Sequence, residues 1–215
     1  IATNYTTLSR NSLLVKLNSM GINVNKHHII SAAYAGVLKL RSMGSPSCEF
    51  FLKEDTKSDY DEFQIDSIAP EVIIIGDLDR EWSFDIINNI FNKVLKGSKI
   101  IALHKGRYFQ VSEGLQIDSG AFIKAIEYAT STISEVVGKP EKAFFELALK
   151  DMNLRPEESM MIGDDIVNDV EGAQLAGVKG VLVKTGKYRK DLVEKSNIEP
   201  DLIISSINEI IEFFN

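Results

Sequence analysis

The 215-residue sequence has one cysteine, no long apolar run and no excess of basic residues. The single cysteine, Cys48, excludes an intrachain disulfide, and with no secretory signal in the sequence we expect a reducing, cytoplasmic setting. No segment approaches the ~20 apolar residues that a membrane-crossing helix needs, so no membrane partner is expected. Acidic residues outnumber basic ones by 31 to 24, which argues against a nucleic-acid partner. An anion site in so acidic a chain requires a local lysine, backbone N–H groups or a metal.

Apolar residues make up 44% of the chain and charged residues 26%, as in ordinary globular proteins. Buried-strand patterns alternate with amphipathic helical patterns along almost the whole sequence. This alternation predicts an α/β fold with a mostly parallel sheet. The clearest predicted strands are Glu71–Gly76, Lys99–Leu103, Ser159–Gly163 and Gly180–Lys184.

The strongest chemical pattern is MMIGDDIVND, which runs from Met160 to Asp169. A predicted strand ends at Gly163, and ligands of open α/β sheets bind beyond such strand ends. Two adjacent carboxylates there repel each other unless a cation or a proton intervenes, and Mg²⁺ prefers carboxylate oxygens. We therefore expect Asp164 to bind Mg²⁺ directly, while Asp165 and Asp169 hold waters, orient Asp164 or cap the next helix. The alternative is that Asp165 is only a helix cap and Asp169 a solvated helix residue.

A lysine follows another predicted strand end, in the sequence VVGKPE from Val136 to Glu141. The strand is expected to end at Gly138 and a helix to begin at Pro140, which holds Lys139 at the carboxyl edge of the same sheet. An ammonium group there neutralises a phosphoryl group. A solvated lysine is the alternative, but the acidic pair follows about 25 residues later, as one αβ unit requires.

A third strand end lies at the beginning of the sequence, where Ile1 and Ala2 run into Thr3 and Asn4. The threonine hydroxyl and the backbone N–H groups there are suited to binding phosphate oxygens. Both residues are also common in turns and helix caps, which is the alternative interpretation.

Three segments resemble, in this order, the second, third and fourth motifs of haloacid dehalogenase superfamily phosphatases. They are Thr3-Asn4, Gly138-Lys139-Pro140, and Gly163-Asp164-Asp165 with Asp169. Other stretches resemble the NagD-like branch of that superfamily. They are Ile100–Tyr108, Asp118–Phe122, Glu127–Thr130 and Lys184–Tyr188.

The resemblance implies a Rossmann-like parallel-sheet core formed by residues 1–31 and 132–215, with an α/β cap domain inserted at 32–131. It also implies a Mg²⁺-dependent phosphatase that hydrolyses a small phosphorylated substrate through an aspartyl-phosphate, and a homodimer through the cap. Thr3, Asn4 and Lys139 would bind the substrate, and Asp164 the metal. The resemblance assigns catalytic roles to Lys139, Thr3 and Asp165, and supporting roles around the metal to Asp165 and Asp169.

The first motif of the family, Asp-x-Asp-Gly-Thr, is not found in the sequence, so the nucleophile and the first core strand are expected upstream of Ile1. Asp77-Leu78-Asp79 is followed by Arg80-Glu81 instead of Gly-Thr, and it comes after Thr3-Asn4 instead of before it. We therefore assign it a structural role in the cap. Without a nucleophile the 215 residues are expected to be inactive. This leaves open a non-catalytic protein that binds a phosphorylated ligand or a protein partner. A receiver domain is disfavoured because the acidic pair follows the lysine.

Two further expectations concern the predicted cap. Asp118–Ala121 is expected to approach the substrate where the chain returns to the core. His104, Lys105 and Arg107 form a basic cluster, for which we favour a solvated turn over an anion site.

Overall fold

The computed structural model describes residues 1–213, and side-chain surroundings are described as far as residue 211. The chain divides into two compact units, one from Ile1 to Gly138 and the other from Lys139 onward. The division implied by the resemblance, with a cap at 32–131 and a core on either side, stays a prediction. Within the described residues, no helix has the length and apolar character needed to cross a membrane.

The first unit is built around a four-stranded sheet, with a two-stranded parallel pair and a hairpin beside it. Its elements in chain order are β1 (Ala2–Thr3), α1 (Arg10–Ser19), β2 (Ile30–Ser31), α2 (Ala32–Ser42), β3 (Cys48–Phe51), α3 (Glu54–Lys57), β4 (Val72–Ile75), α4 (Phe84–Leu95), β5 (Lys99–Ala102), β6 (Tyr108–Val111), β7 (Gly114–Ile117), α5 (Ser119–Thr130) and β8 (Glu135–Val136). Short 3₁₀ turns occupy Lys26–His28, Ser58–Tyr60 and Asp79–Glu81.

The four-stranded sheet is parallel and has the order β3-β4-β5-β8. All four residues of β4 are buried, as expected of a strand covered on both faces. One face packs against α4 and α5 through a cluster of aliphatic side chains. These are Ile73, Ile75, Ile90, Val94, Ile100, Ala102, Ile123 and Ile126.

The helix α2 contacts a buried tyrosine of the same unit at close range. The Tyr60 hydroxyl donates a hydrogen bond of 2.6 Å to the Ala33 carbonyl. A Cβ at Gly36 would overlap the Tyr60 hydroxyl and a Leu103 methyl group. The absence of a side chain at Gly36 therefore lets the helix approach Tyr60.

The second unit is a three-stranded parallel sheet in the order β11-β10-β9, with helices around it. Its elements are α6 (Lys142–Met152), a 3₁₀ turn (Pro156–Glu158), β9 (Met160–Gly163), a π-helix (Ile166–Glu171), α7 (Gly172–Leu175), β10 (Lys179–Val183), α8 (Lys190–Ser196), β11 (Leu202–Ile204) and a 3₁₀ helix (Ile207–Phe213).

Alternate residues of β10 face opposite sides of this sheet, as the two-residue period of a strand requires. Leu182 packs with Ile166 and Val170 of the π-helix. Val181 and Val183 pack with Ile204 on the other side. Both faces are thus apolar, which leaves the ends of the strands for polar groups.

The alternating α/β order and the parallel sheets predicted from the sequence are confirmed. Two details differ. The helix expected to begin at Pro140 begins at Lys142, and the single helix that the sequence pattern predicts from Ile166 to Ala176 is a π-helix followed by α7. The pattern also predicts a last helix from Ile207 to Phe214, and Phe214 lies outside the described residues.

Gly36→Ala is expected to destabilise the protein by about 1–3 kcal/mol, the usual range for overpacking. This reverses the sign of a Gly→Ala change in an exposed helix, which stabilises by about 1 kcal/mol. The measurement is the free energy of urea unfolding. A Tyr60→Phe background removes one clashing atom, so the added cost of Gly36→Ala should be smaller there. A stabilising effect of Gly36→Ala would contradict this packing.

Candidate active site at the carboxyl end of β9

A buried ion pair lies beside the end of β9 in the second unit. Lys139 Nζ lies 2.5 Å from Asp169 Oδ1, and the two side chains are only 9% and 6% exposed. The other oxygen, Asp169 Oδ2, accepts a 3.1 Å hydrogen bond from the Asp165 backbone N–H. A Cβ at Gly163 would overlap the Asp169 carboxylate. The strand end therefore needs glycine because the carboxylate that holds the lysine occupies the adjacent space.

This contact corrects two expectations. Asp169 is buried and paired, so it is not the solvated helix residue of the alternative interpretation. Lys139 was expected to follow a strand of the same sheet as Gly163. The structure instead pairs β8 with β5 in the four-stranded sheet, whereas β9 belongs to the three-stranded sheet. The Lys139 side chain still reaches the end of β9, through Asp169.

Asp165 caps the π-helix that follows the strand. Its Oδ1 accepts hydrogen bonds from the backbone N–H groups of Val167 (3.2 Å) and Asn168 (3.0 Å). Its Oδ2 accepts a 2.7 Å hydrogen bond from the Asn168 amide. A carboxylate at a helix start satisfies N–H groups that would otherwise lack partners. Both oxygens are thus engaged locally, and the catalytic role expected for Asp165 stays a prediction.

Asp164 is half-buried and is held from a different direction. Its Oδ2 accepts a 2.7 Å hydrogen bond from the Lys187 backbone N–H. No residue of the described chain donates a hydrogen bond to its Oδ1. The three acidic residues therefore differ in their surroundings. Asp169 pairs with the lysine, Asp165 caps a helix, and Asp164 has one oxygen to which no described residue donates a hydrogen bond.

The donor set suits a hard divalent cation, but only in part. Mg²⁺ is commonly bound by one or two carboxylates, with waters and substrate phosphate oxygens completing its six ligands. Asp164 offers one such carboxylate oxygen. Among the side chains that the structure describes, up to residue 211, no group of three or more His, Cys, Asp or Glu is arranged to hold a metal. The site thus fits a Mg²⁺ ion whose remaining ligands come from elsewhere.

Thr3 and Asn4 lie in the first unit, where β1 pairs in parallel with β2. The Thr3 hydroxyl oxygen accepts a 3.3 Å hydrogen bond from the Tyr5 backbone N–H, as in a tight turn. Asn4 lies beside Gly138, because a Cβ there would come 3.0 Å from the Asn4 amide oxygen. The structure brings Lys139 and Asp169 into contact. The expectation that Thr3 and Asn4 share their site stays a prediction.

The basic cluster of the first unit was assigned wrongly to a solvated turn. His104 Nε2 lies 3.0 Å from Asp118 Oδ1, and Lys105 Nζ lies 2.7 Å from Glu127 Oε1. All four side chains are at most 17% exposed. Only Arg107 of the cluster is exposed. Its first two members therefore join the loop after β5 to helix α5.

The acidic partners of this loop have lowered pKa values. Burial raises the pKa of Glu127, but hydrogen bonds from Lys105, Lys124 and Ser134 outweigh it and lower the pKa to about 2. Burial likewise raises the pKa of Asp118. The hydrogen bond and charge of His104 and the hydrogen bonds from Ser119 together outweigh burial, so the pKa of Asp118 is lowered. Both carboxylates are thus stabilised in their charged form.

Asp77 and Asp79, which resemble part of the missing first motif, make hydrogen bonds within the first unit. The Asp77 backbone N–H donates a 3.2 Å hydrogen bond to the Thr6 hydroxyl, and the Asp77 carboxylate accepts one of 2.7 Å from the Asp79 N–H. Asp79 accepts a 2.6 Å hydrogen bond from the Gln116 amide. These contacts fit the structural role that the sequence predicted.

Comparison with known proteins places this geometry in a family. Haloacid dehalogenase-like hydrolase domain-containing protein 2 of Bos taurus is 37% identical over 210 residues, which cover 98% of this chain and 80% of that protein. The chain belongs to the haloacid dehalogenase superfamily. The phospholysine phosphohistidine inorganic pyrophosphate phosphatase of Danio rerio is 34% identical over 98% of this chain and 77% of that protein. The family model Hydrolase_like (HAD-hyrolase-like) matches residues 136–210, which include the whole β9 site.

Two solved structures have the same fold as this chain. A p-nitrophenyl phosphatase from Archaeoglobus fulgidus superimposes with a TM-score of 0.89 at 25% identity, over 98% of this chain and 84% of that one. NagD from Escherichia coli K-12 gives a TM-score of 0.86 at 22% identity, over 97% of this chain and 82% of that one. The Rossmann-like fold of the NagD-type branch predicted from the motifs is confirmed.

The sequence did not identify the turn that holds Asp164. Gly186 and the Lys187 backbone lie in the stretch Lys184–Tyr188, which was noted only for its resemblance to the family. The contact is made by a backbone N–H, which every residue except proline carries, so the side-chain pattern gave no direct signal. The sequence did offer one indication of a turn. Gly186 comes shortly after the predicted strand Gly180–Lys184, in a segment with no other residue typical of turns.

Glu127→Gln is expected to lower the free energy of unfolding at neutral pH by about 3 kcal/mol, because it leaves the largely buried Lys105 amine without its opposite charge. The folded-state pKa of Glu127 lies below its ordinary value of 4.5. Its stabilising effect is therefore complete above pH 4.5 and is lost as the pH falls towards 2.

Urea unfolding at several pH values between 7 and 3 tests this expectation. The stability difference between wild type and Glu127→Gln should shrink below about pH 4.5. Glu199→Gln, at an exposed position, is the control and should show a small difference at every pH. A Glu127→Gln effect that is independent of pH would contradict the account.

Proposed function

We propose that the protein is a Mg²⁺-dependent phosphatase that hydrolyses a small phosphorylated substrate through an aspartyl-phosphate intermediate. One observation carries the proposal: Asp164 presents a carboxylate oxygen at a strand end where the neighbouring Asp169 holds a buried lysine. Phosphoryl transfer depends mainly on positioning and charge neutralisation, and a strand-end carboxylate with a fixed ammonium group supplies both. Two proteins to which the chain is similar are named as phosphatases, which supports the same reaction.

Asp164 is the residue proposed to hold Mg²⁺. A bound Mg²⁺ ion neutralises phosphoryl charge and helps to orient the phosphate for in-line attack. The hydrogen bond from the Lys187 N–H to Oδ2 fixes the carboxylate plane, so that Oδ1 remains for the cation. Asp169 is engaged by Lys139 and Asp165 by the helix start, so both act in support of Asp164.

Lys139 is proposed to stabilise the negative charge that the phosphoryl group and its attacking carboxylate bring to the site. Asp169 fixes the position of its amine, because a buried ammonium group with a hydrogen-bonded partner loses most of its rotational freedom. The amine therefore acts as a fixed positive charge beside the phosphoryl group.

Thr3 and Asn4 are proposed to bind phosphoryl oxygens. The Thr3 hydroxyl oxygen already accepts the Tyr5 N–H, which leaves its hydrogen to be donated. The Asn4 amide and backbone N–H groups supply further donors of the kind that hold phosphates at turns. We assign the nucleophilic carboxylate to an Asp-x-Asp-Gly-Thr motif that precedes Ile1, as the motif order predicts.

We also propose a cap, a dimer contact, a substrate class and a cellular compartment for the enzyme. We place a substrate-selecting cap at residues 32–131 and a homodimer contact on it. The substrate is a small phosphomonoester, phosphoamide or pyrophosphate, the last two suggested by the named activities of the phosphatase relative. We also propose a cytoplasmic setting, which the single cysteine favours. Cys48 is buried, and burial together with the charge of Glu71 raises its pKa to about 11, which suits an unreactive thiol.

Asp164→Asn in the complete protein, including any residues that precede Ile1, is expected to lower Mg²⁺-dependent hydrolysis of p-nitrophenyl phosphate by about 10²-fold or more. The amide keeps the shape of the side chain and removes the charge that attracts the cation. Asp61→Asn, at an exposed position, is the matched control and should keep wild-type activity.

Two outcomes would contradict the proposal. Wild-type turnover by Asp164→Asn would remove the metal assignment. Absence of hydrolysis by the unmodified complete protein, with Mg²⁺ and a panel of phosphomonoesters, phosphoamides and pyrophosphate, would favour the alternative of a non-catalytic protein that binds a phosphorylated ligand or a protein partner.

A further inference from the structure

One oxygen of Asp164 is already bound by the protein. The Lys187 backbone N–H donates a 2.7 Å hydrogen bond to Oδ2, whereas no described residue donates to Oδ1. Such a carboxylate can bind a cation through its other oxygen, Oδ1. Binding through both oxygens would require the amide hydrogen bond to break.

The turn that supplies this N–H is shaped by glycine. Gly186 has φ +55°, a conformation that residues with a side chain rarely adopt. A Cβ there would overlap Asp164 Oδ2, so space as well as backbone conformation requires glycine. The carboxylate thus lies directly against the Gly186 backbone.

The turn is anchored on both sides. The Tyr188 backbone N–H donates a 3.0 Å hydrogen bond to the Thr185 carbonyl, which closes the turn. The Tyr188 side chain packs against the apolar cluster of Ile166, Val170 and Leu182. A side chain at position 186 must therefore displace either this anchored turn or the Asp164 carboxylate.

We propose that Gly186 and the Lys187 N–H are positioning groups that hold Asp164 to single-oxygen coordination and so select Mg²⁺ over Ca²⁺. The inference rests on the proposed metal role of Asp164. Mg²⁺ has octahedral geometry at short distances, to which a carboxylate contributes one oxygen, whereas Ca²⁺ accepts 6–8 ligands and often takes both oxygens of a carboxylate. A turn that occupies Oδ2 therefore opposes the Ca²⁺ mode of binding.

The test is Gly186→Ala in the complete protein, with Mg²⁺ and Ca²⁺ binding measured separately by isothermal titration calorimetry. Loss of a group that orients a metal ligand typically weakens metal affinity 10–100-fold. Mg²⁺ binding should weaken by at least about tenfold, while Ca²⁺ binding stays unchanged or tightens. The Mg²⁺/Ca²⁺ preference should therefore fall by about tenfold or more, and activity is not needed as a readout.

Gly177→Ala is the matched control in the same unit. Gly177 also has a positive φ, of +77°, but its nearest neighbour would be a Pro156 carbon at 3.4 Å rather than a carboxylate. Its substitution should produce a similar backbone strain and leave both metal affinities within about twofold. Asn tolerates positive φ better than Ala, so Gly186→Asn and Gly177→Asn repeat the comparison if Gly186→Ala fails to fold.

The outcomes separate this inference from the proposed function. If Asp164→Asn keeps Mg²⁺ binding, the metal role of Asp164 is wrong, and with it the inference. If Asp164→Asn loses Mg²⁺ binding but the Gly186 variants keep the wild-type Mg²⁺/Ca²⁺ preference, only the inference is wrong. If the Gly177 variants shift the preference as strongly as the Gly186 variants, backbone strain explains the effect and the inference is again wrong.

Discussion

The site depends on the ion pair between Lys139 and Asp169. Two oppositely charged side chains that are less than a tenth exposed stabilise each other only if their remaining hydrogen-bonding capacity is also satisfied. Asp169 meets this condition by accepting the Asp165 backbone N–H with its second oxygen. The same carboxylate thus fixes the lysine amine and the start of the helix after β9. Gly163 leaves the space in which this carboxylate lies.

The pair also explains how three aspartates share a short segment of an acidic chain. Asp169 is neutralised by the lysine, and the charge of Asp165 is stabilised by two backbone N–H groups at a helix start. Asp164 is left with one backbone N–H bound to Oδ2 and with no donor to Oδ1 among the described residues. At Asp169 and Asp165, groups of the protein itself therefore offset the repulsion expected between neighbouring carboxylates. The third is the group to which a cation adds the missing positive charge.

Much of this could be predicted from the sequence. The buried strands around Ile74 and Val181 are continuous aliphatic runs, and such runs indicate parallel strands covered on both faces. Asp164, Asp165 and Asp169 follow the shorter apolar run Met160–Gly163, so a polar strand end was predictable there as well. The division of labour among them was not, because it depends on which backbone N–H each carboxylate reaches. The sequence likewise could not show that His104 and Lys105 are paired, since Asp118 and Glu127 lie 14 and 22 residues away.

The most direct test of the central ion pair is a double-mutant cycle that combines Lys139→Met with Asp169→Leu. Each single variant leaves one buried charge without its partner and should lower the free energy of unfolding by about 3–5 kcal/mol. The double variant removes both charges, so its loss should fall short of the sum of the single losses by about 2 kcal/mol or more. Additive losses, with a coupling energy near zero, would contradict the claim that this pair organises the end of β9.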